Sequence, residues 1–104
     1  MKDEELEILE DRSPGAVKFT LKGRVNAINA DSLLYKLETA IKEGHTNIIM
    51  NMSQVEYLSS VGIRVILKIY KQTSEKGGTF KIERPSENVK NVLGMVALKE
   101  MLVE

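Results

Sequence analysis

Apolar and polar positions recur with two different periods along the chain, and the changes of period mark its elements. Leu6 to Leu9 alternates briefly, which predicts a short edge strand. Asp11-Arg12-Ser13-Pro14-Gly15 has turn chemistry, because proline presets φ and glycine accepts positive φ. Val17, Phe19 and Leu21 alternate with Lys18, Thr20 and Lys22, a half-buried strand that pairs back on the first. Gly23-Arg24-Val25-Asn26-Ala27-Ile28 reads as a connection. Asn29 is placed to cap the next helix, with Asp31 in its first turn complementing the dipole. Leu33, Leu34, Leu37 and Ile41 give that helix one apolar face, and Gly44 stands where it ends.

Thr46 to Met52 contains the nearly unbroken apolar run Ile48-Ile49-Met50, the pattern of a central strand covered on both faces. A loop through Ser53-Gln54-Val55-Glu56 then leads to Ser59-Ser60. From there the period becomes helical. Val61, Val65 and Ile69 form one ridge, and Ile63, Ile66, Leu67 and Tyr70 another. Arg64, Lys68, Lys71, Gln72 and Glu75 share the polar strip. A helix so apolar is largely buried, which holds its amino end, and both serines, rigidly. It stops at Gly77-Gly78. Thr79 to Glu83 alternates with Phe80 and Ile82 inward, Arg84-Pro85 breaks the strand, and Ser86 caps a helix carrying Val89, Val92, Leu93 and Val96. The tail from Leu98 to Glu104 reads as a last helical turn or a short strand, the strand being preferred.

The order β-β-α-β-α-β-α, with a final strand, implies parallel neighbours joined by right-handed crossovers behind an antiparallel hairpin. The fold class is α/β: a single domain over residues 1–104 with a mixed β-sheet and helices packed mainly on one face. That length fits one two-layer core.

Composition removes more functions than it adds. Lys plus Arg and Asp plus Glu are equal at 15 each, so no net field draws the chain to nucleic acid or an anionic membrane. The chain has no cysteine and one histidine, His45, which rules out a disulfide framework, a thiol nucleophile and a His/Cys metal cluster. His45, after Gly44, is expected in a surface loop. Met50, Met52, Met95 and Met101 read as core filler, not a cofactor box. No base, metal set or paired carboxylates converge in the sequence, so an enzyme is not expected, nor is a cofactor. The charged amino terminus and the lack of a long apolar run point to a cytoplasmic domain.

The chemistry left over lies at the start of the apolar helix. On residue types alone Ser59 and Ser60 are helix caps. Gly62 either permits tight packing or lets a partner approach the backbone. Arg64 reads first as a solvated charge and Asn26 as a turn residue, each with a partner contact as the second reading.

The run Ile48-Ile49-Met50-Asn51-Met52-Ser53, followed by Tyr57-Leu58-Ser59-Ser60-Val61-Gly62-Ile63, resembles the signature of the STAS domain. That domain occurs in bacterial anti-sigma factor antagonists and in the cytoplasmic parts of anion transporters. Gly23-Arg24-Val25-Asn26 matches the family's pattern before the first helix. Gly77-Gly78, Pro85-Ser86 and the Val89/Val92/Leu93 helix fall where the family has them. The resemblance makes Ser60 the phosphoacceptor and leaves Ser59 a cap. It implies a partner surface of Asn26, Ser59, Ser60, Val61, Gly62 and Arg64. The acid that usually precedes the acceptor is Ser59 here, and the acidic position before the first helix is Asn26.

The function so implied is an anti-sigma factor antagonist. The unphosphorylated form binds an anti-sigma factor with serine kinase activity and frees the sigma factor. Phosphorylation at Ser60 abolishes binding, and a metal-dependent serine/threonine phosphatase restores it. A phosphate there is expected to accept bonds from the amides of Gly62 and Ile63 at the helix start. The other reading is a STAS docking subunit of a transport or scaffold assembly.

Overall fold

A computed structural model describes residues 5–95 and 102–103. The strands are β1 (Leu6–Ser13), β2 (Ala16–Val25), β3 (Asn47–Leu58), β4 (Thr79–Glu83) and β5 (Leu102–Val103), and the helices are α1 (Ala30–Lys42), α2 (Ser60–Glu75) and α3 (Glu87–Met95). They form one five-stranded sheet in the order β1-β2-β3-β4-β5, antiparallel between β1 and β2 and parallel thereafter. Each helix carries the chain one strand further along the sheet. Crossovers of one hand stepping in one direction put all three helices on the same face. The core agrees. Val17, Phe19 and Leu21 of β2, Ile48, Met50 and Met52 of β3, and Phe80 and Ile82 of β4 meet Leu33 and Leu37, Ile66 and Ile69, and Val89 and Leu93 in one buried cluster.

The opposite face of the sheet carries no helix among the described residues. Ile49 is only half-buried there, lying in register between Lys18 and Lys81, and Lys18 pairs with Glu83. β3 is therefore covered on one face, not two. An isoleucine half-buried between two lysines satisfies the same apolar run, because lysine stems are aliphatic.

The hairpin is longer than its sequence suggests. Pairing continues through Arg12↔Val17 and Ser13↔Ala16, so only Pro14-Gly15 turns. Arg12, read as part of the turn, instead bonds Glu10, Glu43 at 2.7 Å and His45 Nε2 at 3.3 Å. Those carboxylates, Glu10 foremost, raise its pKa. His45 lies in the loop after Gly44, as expected, half-buried against the hairpin.

The segment read as a loop, Ser53 to Glu56, is the continuation of β3. Thr20↔Asn51 is followed by Lys22↔Gln54, and Gly23↔Val55 by Arg24↔Tyr57, so β3 takes in one extra residue at each of two bulges. Inward positions therefore fall at Met52, Val55 and Leu58, three residues apart, and no period of two survives for the sequence to display. β4 pairs with β3 only as far as Asn51. Beyond it the carbonyls of β3 bond the start of α3. Ser86 N donates to Met52 O (3.2 Å), Ser86 Oγ to Val55 O (2.7 Å), and Asn88 Nδ2 to Glu56 O (2.6 Å). Ser86 Oγ also accepts from Val89 N, the expected cap.

Met50 and Met52 are buried core residues. The side chains of Met95 and Met101, and Val96 entirely, lie outside the described residues. The tail ends in a strand at Leu102–Val103, paired with Ile82 and Glu83.

Candidate functional site

The start of α2 is fixed by three bonds through one residue. Ser59 is extended (φ −75°, ψ 169°) and its N–H donates to Val25 O at 2.9 Å, the last bond tying it to β2. Its Oγ accepts from Gly62 N at 3.1 Å and its carbonyl from Ile63 N at 2.9 Å. Ser59 is the cap, as its residue type predicts. Ser60 is the first helical residue and is exposed, and its hydroxyl has no protein partner among the described residues.

These bonds revise the expected phosphate cradle. The amides of Gly62 and Ile63 are both occupied, so they are not the free donors at this terminus. The amides of Ser60 and Val61 are, because the first turn of a helix leaves them without intrahelical acceptors. The first turn of α2 contains no acidic residue.

Gly62 is buried. A Cβ on it would stand 2.7 Å from Leu58 Cδ1 and 2.8 Å from Val25 Cγ1, inside the contact between α2 and the ends of β2 and β3. Its bare backbone serves this packing, the first of the two roles its residue type allows. Val61 is half-buried against the core, and Arg64 is exposed on the face of Ser60.

Asn26 belongs to the neighbouring loop. Its Oδ1 accepts from Ile28 N (2.9 Å) and Asn29 N (3.0 Å), folding residues 26–29 into a tight turn. Asn29 occupies the N-cap position of α1 but does not cap it. Its buried side chain turns back instead, accepting from Asn26 N (2.9 Å) and donating to Arg24 O (2.9 Å). The demand of the closed turn for buried hydrogen bonds outweighs one more bond to a helix amide. Asn26 Nδ2 also reaches Glu5 (3.1 Å), and Arg24 lies over the Tyr57 ring at 4.6 Å with Glu5 at 3.6 Å. Gly23 makes this crossing possible. Its φ is +115°, and a Cβ would fall 2.0 Å from Glu5 O, the acceptor of Arg24 N.

The turn and the start of α2 share the edge of the sheet where β2 and β3 end. Apolar side chains that periodicity did not nominate are exposed in the turn and on the two helices. Ile28 is 83% exposed, Tyr35 on α1 72% and Leu67 on α2 40%. The pattern placed Leu67 on a buried ridge and left Ile28 in a connection. An apolar residue in a loop was the one available signal. Among the described residues no three or more His, Asp or Glu side chains gather as metal ligands, and no helix is long and apolar enough to cross a membrane.

An exposed serine thus stands at the start of a largely buried helix, on a small β-β-α-β-α-β-α-β domain with one mixed sheet. The STAS domain family model matches residues 7–103, and the chain belongs to that family. BtrV of Bordetella bronchiseptica, named for anti-sigma factor antagonism, is 26% identical over 87 residues, spanning 84% of this chain and 75% of BtrV. The anti-sigma-B factor antagonist of Bacillus subtilis is 23% identical, over 83% of this chain and 78% of the relative. The unphosphorylated form of the anti-sigma factor antagonist SpoIIAA superposes with a TM-score of 0.85 at 21% identity, covering 93% of this chain and 86% of that one. Its phosphorylated form, from Bacillus, superposes at 0.80 with 20% identity, covering 93% and 89%.

Proposed function

We propose that this protein is an anti-sigma factor antagonist switched by phosphorylation of Ser60. It is a binding protein and a kinase substrate, with no catalysis of its own. The observation that carries the reading is the division of labour between the two serines. Ser59 takes the cap, so the Ser60 hydroxyl is left exposed and unbonded on a rigid helix end. The names of the relatives supply the class of partner, an anti-sigma factor.

The partner in this scheme has serine kinase activity. Its base removes the Ser60 proton, Oγ attacks the γ-phosphorus of ATP, the bond to the β-phosphate oxygen breaks, and ADP leaves. The product carries about −1.5 to −2 charges at neutral pH. The domain keeps its fold, because the amides of Ser60 and Val61 and the helix dipole favour an anion there. A partner surface packed on Ser60, Arg64, Ile28, Tyr35 and Leu67 does not tolerate it, because the new charge must be desolvated in the interface. Modification therefore releases the partner. Hydrolysis by a serine/threonine phosphatase restores binding.

The test is mass spectrometry after incubation with the serine kinase anti-sigma factors of the same genome and ATP, on wild type and Ser60→Ala. One phosphate on the peptide containing Ser60, absent from the variant, is expected. Titration of both forms against the same anti-sigma factor completes it. No phosphate beside a working kinase control, or equal affinity of the two forms, overturns the reading.

A further inference from the structure

Resting on that reading of Ser60, we propose that Arg64 is the intramolecular clamp of the phosphorylated side chain, so that one modification both adds an anion to the surface and withdraws a cation from it. Ser60 and Arg64 are four residues apart on α2 and both exposed, hence neighbours on one helix face with Cβ atoms about 5–6 Å apart. Long helical side chains lean toward the N-terminus, which carries the guanidinium back over Ser60 and not away from it. Its planar fork matches two oxygens of a phosphate.

The surroundings leave Arg64 available. It has no ion pair or hydrogen bond among the described residues. The next polar positions on the strip are committed elsewhere. Lys68 lies 3.7 Å from Glu38 of α1, and Gln72 donates to the same carboxylate at 2.8 Å. The first turn of α2 offers Arg64 no carboxylate. Ser60 is thus the position one turn back where an anion would arise, beside the unbonded amides of Ser60 and Val61.

In the unmodified protein Arg64 is free to meet an acidic group on the partner. In the modified protein it is turned onto its own helix, and the partner's acidic group meets the phosphate.

The experiment uses the full chain with phosphoserine installed genetically at position 60, so that no kinase is needed. The second phosphate ionisation is followed by 31P NMR in the otherwise unmodified chain, Arg64→Gln and Arg64→Lys. A nearby cation favours the dianion, so this pKa is expected to lie lower with arginine than with glutamine by roughly 0.3 unit or more. Lysine, with the charge but not the fork, should keep part of the difference, and 1 M salt should remove most of it. Coincident titrations of the chain that keeps Arg64 and the Arg64→Gln variant overturn the clamp. A failure of every kinase to modify Ser60 would instead overturn the functional reading and leave this titration unaffected.

Discussion

Ser59, Ser60 and Gly62 lie within four positions, and the structure gives each a separate task. Removing the Ser59 hydroxyl strands the Gly62 amide at the helix start. Ser59→Ala is expected to cost about 1 kcal/mol in urea denaturation. Ser60→Ala removes a hydroxyl without a protein partner and should change stability by no more than about 0.5 kcal/mol, which keeps it clean as a phosphorylation control. Gly62→Ala places a methyl group against Leu58 and Val25 in a region that cannot expand without moving β2 or β3. A loss of about 1–3 kcal/mol is expected, with no new contact in exchange. If Ser60→Ala proves the most destabilising of the three in denaturant, the assignment of cap and acceptor is reversed.

At the scale of elements, the two bulges of β3 connect the sheet to the last helix. By turning Val55 and Leu58 inward past the end of β4, they leave carbonyls that Ser86 and Asn88 occupy. Ser86 thereby serves two elements with one hydroxyl, donating to Val55 O and accepting from Val89 N. Ser86→Ala should lose about 1–2 kcal/mol, more than a cap alone accounts for, because a buried strand carbonyl loses its partner as well. Hydrogen exchange offers a local check. The amide of Val89 should lose protection in the variant, while those of α1 should follow only the global change.

Over the whole molecule, one face of the sheet holds the core, and one end of its central strands gathers the proposed partner surface. The turn at residues 26–29 and the start of α2 come together there because parallel strands linked by crossovers bring their connections to a common end. Ile28 and Tyr35 are exposed and stand outside the buried core. Ile28→Ser combined with Tyr35→Ser should leave the thermal midpoint unchanged within about 2 °C. Binding to the cognate anti-sigma factor should weaken at least about tenfold, as expected when exposed apolar anchors of an interface are cut back. A lowered midpoint with unchanged affinity would place both residues in the fold and not in the interface.

The sequence alone determined the order of the elements, the helix caps at Ser59 and Ser86 and the central apolar positions, since each depends on neighbours within one turn or one strand. Hydroxyl beside helix start, alternation and glycine are local signals, and local physics sets them. The tertiary structure decided the remainder. Bulged strands lose the period that reveals them, so the continuation of β3 from Ser53 to Glu56 read as a loop. The half-buried state of Ile49 depended on lysines from two other strands. That a Cβ on Gly62 would run into Val25 and Leu58 followed from how α2 docks on the sheet. The exposure of Ile28, Tyr35 and Leu67 likewise followed from which helix faces met each other. Contacts between segments distant in sequence settle these features, and no window along the chain contains them.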